Sequence, residues 1–193
     1  CAKVAVDWAA RSAGQRNVPL RLVHVVTPGM LLWPELGVPP GYAQWEEERG
    51  NEILEDAARV AGDAAPAVQV QTEKVDGPSV ATLVDLSKDA SMIVVGSHGR
   101  GGLARAIIGS VSSSLVRHAH CPVAVIRDED LMAPAPARAP VVVGIDGSPA
   151  SERATAIAFD EASWRKVDLV AVHSVSDSDL VDVPRAEWDH LEI

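Results

Sequence analysis

The chain has 193 residues, 47% of them apolar, and a formal charge of −10. That length holds one ordinary domain and part of another. The acidic balance excludes a nucleic acid as partner, which would need a basic stripe, but not a single nucleotide held locally by backbone amides. Aromatic residues make up 4%, so the core has to be Val, Ile, Leu and Ala, as in a parallel sheet covered by helices. Two cysteines, Cys1 and Cys121, are too few for a disulfide framework and fit a reducing, cytoplasmic setting. No apolar run reaches membrane-spanning length, and no signal-peptide pattern is visible.

In chain order, residues 2–16 read as a helix, with Val4, Ala5, Trp8, Ala9, Ser12 and Ala13 at three- and four-residue spacing and Asn17 as the stop. Residues 20–26 are a Val/Leu-rich strand. Pro28, Pro34, Pro39 and Pro40 with Gly29, Gly37 and Gly41 mark 27–41 as a loop. A loop that long points to a functional or interface role; Trp33, Tyr42 and Trp45 around it read as packing or interface residues. A helix over 44–64 opens on Glu46, Glu47 and Glu48, which suit its dipole, and aligns Ile53, Leu54, Ala57, Ala58 and Ala61 in one stripe.

Residues 68–75 alternate like a half-buried edge strand, and Asp76-Gly77-Pro78 turns into a helix that runs through Val80, Leu83, Val84 and Ser87 to about Ala90. A strand over 92–95 feeds a glycine loop. The next helix, 111–120, packs through Val111, Leu115, Val116 and Ala119, and a strand follows at 122–126. Residues 127–140 form an extended Ala/Pro-rich linker. Then come a strand and turn over 141–148, a helix over 154–165, a strand over 168–175 and an acidic tail, 176–193, with no assigned structure. Alternating strands and helices give the α/β class: an open parallel sheet with helices on both faces.

The glycine loop organises the rest. Gly96, Gly99 and Gly109 follow one spacing: Gly, two residues, Gly, nine residues, then Gly-Ser. Without Cβ atoms the backbone can come close to a ligand. Ser110 stands at or near the N-cap of the following helix, whose free N–H groups and dipole attract an anion. Strand, glycine loop and helix start together describe a phosphate cradle.

This pattern resembles the nucleotide-binding motif of the ATP-binding branch of the universal stress protein family, and the flanking elements fall in that family's order. The resemblance implies the adenine nucleotide α-hydrolase-like fold and ATP as ligand, with Mg²⁺ accompanying its phosphates. It places the phosphates on Gly96, Gly99 and Gly109 and on the hydroxyl and amides at Ser110, Val111 and Ser112, and the adenine at the backbone of Val25. His98 reads as a contact to ribose or phosphate, or as a plain loop side chain, rather than as a general base. Arg100 and Arg105 either screen phosphate charge or are solvated loop cations. Asp146, in Gly144-Ile145-Asp146-Gly147-Ser148, matches the family's acidic residue near the nucleotide.

Residues 16–25 align with 165–174 at an offset of 149, fixed by His24 and His173. On that offset the first copy has no counterpart of 141–149, its opening strand and turn, and the second ends before a glycine loop. The chain thus resembles a tandem universal stress protein cut at both ends: a first domain over 1–126, a linker over 127–140 and a partial second domain over 141–193. In the family's sheet the first strand is central, so its absence opens a seam. Two readings follow: the chain is part of a longer protein, or 141–146 slides into the empty slot, which about 14 extended linker residues can reach at roughly 46 Å.

Other motifs fail. His118, His120 and Cys121 are ligand types without a fourth partner, and residues two apart on a helix diverge. There is no Gly-Lys-Ser/Thr loop, and Gly99–Ala104 fits the dinucleotide fingerprint only loosely, with no acidic residue about 20 positions on. Val95 stands where a nucleophile elbow needs its first Gly. With no clear base, nucleophile or metal cluster, the expectation is a nucleotide-dependent stress or regulatory switch with at most slow hydrolysis, acting as a homodimer or through tandem-domain pairing. The alternatives are a nucleotide-free interaction scaffold and a slow ATP hydrolase.

Overall fold

The structure is a computed structural model, and it describes residues 2–28, 39–97, 108–127 and 139–174. His98, Gly99, Arg100, Arg105, Trp33 and the acidic tail lie outside the described residues. The chain divides into two compact units, Cys1–Ala133 and Pro134–Ile193.

The first unit contains α1 (Ala2–Arg16), β1 (Leu20–Val26), α2 (Tyr42–Ala64), β2 (Val70–Asp76), α3 (Ser79–Leu86), β3 (Ile93–Gly96), α4 (Ser110–His118) and β4 (Val123–Ile126). β1 pairs with β2 in parallel from Leu20↔Val70 to Val26↔Asp76, and β3 with β4 from Ile93↔Val123 to Gly96↔Ile126. Parallel neighbours need a crossover; α2 supplies it for the first pair and α4 for the second. α1 packs against α2 and also touches β1, β3 and β4.

The core is built from small aliphatics. Ala10, Leu22, Leu54 and Ala61 form its buried centre, with Val6, Leu20, Ala57, Ala58 and Val70 packed around it. Ala10 and Ala61 are wholly buried, and α1 adds Ala5, Ala9 and Ala13 on the same face. These side chains let helices approach closely with little rotamer entropy lost. Gly50 does the same between α2 and the first strand pair: a Cβ there would meet Lys74 Cδ at 3.0 Å and His24 Cδ2 at 3.4 Å. The Lys74 ammonium is paired with Glu47.

The second unit contains β5 (Val141–Gly144), α5 (Pro149–Arg165) and β6 (Leu169–Val172). β5 and β6 pair in parallel from Val141↔Leu169 to Gly144↔Val172, and α5 packs on both.

The helix-to-strand turns of the two units share one geometry. Asn17 and Lys166, 149 residues apart, have φ of 53° and 54°. Val18 N–H reaches Ala13 O at 3.1 Å and Asn17 N–H reaches Gly14 O at 3.2 Å; Val167 to Ala162 and Lys166 to Ser163 repeat both distances. Each is a Schellman ending, with a left-handed residue just past the helix.

The strands are parallel, as the α/β class requires, and among the described residues of the first unit they form two hydrogen-bonded pairs, with the seam that a missing opening strand implies. Several expectations need correction. No described strand of this unit bridges β1 and β3, and β5, the strand considered for that slot, has its ladder with β6. α2 starts at Tyr42, so Glu46–Glu48 fall past its first turn, which holds no acidic residue. α3 stops at Leu86, short of Ala90: the buried Ser87 bonds Val84 O at 2.5 Å and accepts His120 N–H at 2.8 Å, diverting the chain. α4 ends at His118 as Ala119 turns extended, with ψ 148°. Val116 is 58% exposed, because the inward row of α4 is Ser112 and Leu115.

Candidate functional site

The site begins at the last residues of β3. Ser97, just beyond the strand, is buried, and its N–H extends the ladder to Ile126 O at 2.8 Å. Its carbonyl accepts the Gly109 N–H at 2.7 Å and faces the Ser112 hydroxyl at 3.3 Å. That carbonyl pins the start of α4 to the end of β3.

Gly109, not Ser110, is the N-cap; its φ of −60° and ψ of 158° are extended, and no side chain caps the helix. Ser110 is the first helical residue, and its side chain is exposed. The first intrahelical bond runs from Ser113 N–H to Gly109 O at 2.9 Å. The N–H groups of Ser110, Val111 and Ser112 therefore lead the helix without a partner among the described residues, an arrangement that favours an anion. Ser112 is buried and turned inward: its hydroxyl donates to Gly109 O at 2.9 Å. It offers an anion its amide, not its side chain. Gly96, Gly109, Ser110, Val111 and Ser112 are thus gathered at one place, while His98, Gly99 and Arg100 lie outside the described residues.

Val25 lies elsewhere on the first unit, in β1 opposite Val75. It lines a cleft of about 670 Å³ between the opening turns of α1, the stretch of α2 from Tyr42 to Ala57 and the end of β1. Val6, Val26 and Ile53 share its apolar lining with Tyr42 and Trp45. The two rings are 5.6 Å apart, tilted by 38°, and the Tyr42 hydroxyl donates to Glu46 Oε1 at 2.9 Å. That bond to a carboxylate raises the Tyr42 phenol above its ordinary value. Lys3 and Asp56, also on the lining, form an ion pair at 2.6 Å.

Asp146 belongs to the second unit. Its Oδ1 accepts the Ser148 N–H at 2.9 Å, and the Ser148 side chain and backbone together hold its carboxyl down at about 2. Ser148 in turn caps α5, accepting Ser151 N–H at 3.2 Å, with Pro149 following it. That Ser-Pro start, five residues before the expected helix, was visible in the sequence as an N-cap followed by Pro at the first helical position. Burial pushes the Cys121 thiol up, against a smaller opposing effect of a backbone bond with Ile93, which disfavours a thiolate. Among the described residues no three His, Cys, Asp or Glu side chains gather as a metal site.

Sequence reasoning missed Ser97, a small polar residue with no distinctive spacing. It also missed the shared cleft of Val25 and Trp45, which are 20 positions apart in sequence and meet only through tertiary packing.

Parallel strand pairs crossed by helices, with a helix start fastened at the C-terminal end of a strand, define an α/β protein. The universal stress protein family model matches residues 1–127 and 138–192, and the chain belongs to that family. Universal stress protein Rv2623 of Mycobacterium tuberculosis is 52% identical over 190 residues, covering 97% of this chain and 64% of its own length. Universal stress protein Rv2005c of the same species is 48% identical over 191 residues, 97% of this chain and 65% of its own. A universal stress protein from Archaeoglobus fulgidus DSM 4304 superposes with a TM-score of 0.68 at 20% identity, over 93% of this chain and 64% of that one, a likeness of fold. The chain thus spans 64–65% of the length of these curated relatives. No helix among the described residues is long and apolar enough to cross a membrane.

Proposed function

We propose that the chain is an ATP-binding regulatory module of the stress-protein type. The phosphates rest on the 96–112 segment and the start of α4, the adenine lies near Val25, and the bound nucleotide changes what the protein contacts. The observation that carries this reading is the head of α4: a cap without a side chain, three outward amides, and a serine carbonyl holding the turn in place. Mg²⁺ accompanying the phosphates would offset their charge, and the exposed Ser110 hydroxyl at the helix start would meet the phosphates. His98, Gly99 and Arg100 complete the phosphate contacts in this reading. Asp146 serves a nucleotide of the second copy.

The chain is organised as domain 1 over 1–126, a linker over 127–140 and a partial domain 2 over 141–193, paired in tandem or as a homodimer in the cytoplasm. Matching Schellman endings 149 residues apart support the repeat. Hydrolysis, if measured, is slow, since the sequence supplies no clear base, nucleophile or metal cluster. A nucleotide-free interaction scaffold is the second reading, favoured by the unjoined β1–β2 and β3–β4 pairs.

Thermal shift with Mg-ATP separates them. Saturating nucleotide, at 100 times Kd, stabilises by about 2.7 kcal/mol. Gly109→Ala abolishes that gain without unfolding the chain, because Ala adopts the observed φ of −60° freely. An unshifted wild-type melt favours the scaffold, and rapid phosphate release favours a hydrolase.

A further inference from the structure

We infer that Trp45 is the residue that stacks on the base of the bound nucleotide, with Tyr42 positioning it; this rests on the nucleotide-binding reading above. Trp45 is 55% exposed, yet it lines a cleft in which Val6, Val25, Val26, Ile53 and Ala57 form an apolar stretch beside the charged side chains of Lys3, Glu46, Arg49 and Asp56. A large ring left half in water beside an apolar recess has an unused face, and a flat ligand is what such a face binds. The volume of about 670 Å³ lies in the range of small-molecule sites.

The side chains around the cleft narrow the ligand further. Its cations are already matched: Lys3 lies 2.6 Å from Asp56 and Arg49 lies 3.1 Å from Glu52. Glu46 is engaged by the Tyr42 hydroxyl at 2.9 Å. A polyphosphate finds no uncommitted cation among these residues, so the cleft suits an uncharged heteroaromatic ring, not the anionic end of a nucleotide. Tyr42 reinforces the choice of Trp45. Its hydroxyl is tied to Glu46 one turn on, and its ring backs the indole at 5.6 Å, so the indole is held before any ligand arrives.

The test uses the full chain and three probes: ATP, adenosine and inorganic tripolyphosphate, each titrated by calorimetry, with adenosine also followed by tryptophan fluorescence. Base–aromatic stacking of about 1.4 kcal/mol corresponds to tenfold in affinity. Trp45→Ala is expected to weaken ATP and adenosine about tenfold and leave tripolyphosphate unchanged. Trp45→Phe restores affinity to within about threefold while losing the adenosine-dependent quenching. A role in folding alone moves all three probes together and is not rescued in this pattern. Equal ATP affinity in wild type and Trp45→Ala overturns the inference while leaving the nucleotide reading intact. A wild-type chain that binds neither ATP nor tripolyphosphate overturns the nucleotide reading, and this inference with it.

Discussion

Replacing Ser112 by Ala separates what a serine at the helix head does for the fold from what it does for a ligand. The side chain is 3% exposed, and its single hydroxyl proton serves Gly109 O at 2.9 Å, with Ser97 O farther off at 3.3 Å. Neither carbonyl is orphaned by the change: Gly109 O keeps the Ser113 N–H at 2.9 Å and Ser97 O keeps the Gly109 N–H at 2.7 Å. The loss is therefore one net hydrogen bond, about 1 kcal/mol, without the penalty of an unsatisfied buried acceptor. The higher helix propensity of Ala returns roughly 0.5 kcal/mol. A net destabilisation of about 0.5 kcal/mol should appear as a lower urea midpoint at unchanged m. Because only the amide at 112 faces outward, ATP affinity by calorimetry stays within about twofold. A tenfold loss of ATP affinity at an unchanged urea midpoint would place the hydroxyl on the ligand and refute this reasoning. A loss beyond about 2 kcal/mol would show that a carbonyl had been stranded after all.

Lys166→Gly should stabilise the chain by about 0.5–1 kcal/mol, since Lys at a φ of 54° bears a left-handed penalty that Gly escapes. Asn17→Gly should give about half that gain or less in matched thermal melts, because Asn tolerates its φ of 53°; a larger gain at Asn17 would contradict the argument. The Asp146 carboxyl, followed by NMR, should titrate near 2 rather than at the usual 3.8. Its folded value is depressed, so its stabilising effect is whole above pH 3.8 and fades as pH falls toward 2. Ser148→Ala removes the hydroxyl, the main cause, and should move the midpoint upward; an unmoved midpoint would assign the shift elsewhere.

Features set by local spacing were legible in the sequence. The alanine ladder of α1 and the Val/Leu run of β1 predicted their elements because burial of one helical face or strand is written in neighbouring residues. The offset of 149 was legible for the same reason, and Asn17 and Lys166 confirm that the two chain reversals are alike. The glycine spacing located the head of α4 to within one residue. What escaped depends on partners distant in sequence. Burial of Ser112 depends on Ser97, 15 residues earlier, whose carbonyl lies 3.3 Å from a hydroxyl that donates locally to Gly109 O. Val116 looks like a core residue until Ser112, satisfied by backbone oxygens, occupies the inner row beside Leu115. The seam between the two strand pairs, by contrast, was legible, because the offset shows which strand the first copy lacks.

The bond from Gly109 N–H to Ser97 O, at 2.7 Å, has an evolutionary side. It fixes both ends of the intervening segment, so the anchoring belongs to the frame and not to the residues between. Because main-chain atoms make it, the bond survives exchange of the side chains around it, and descendants of this gene keep the helix head on the strand end.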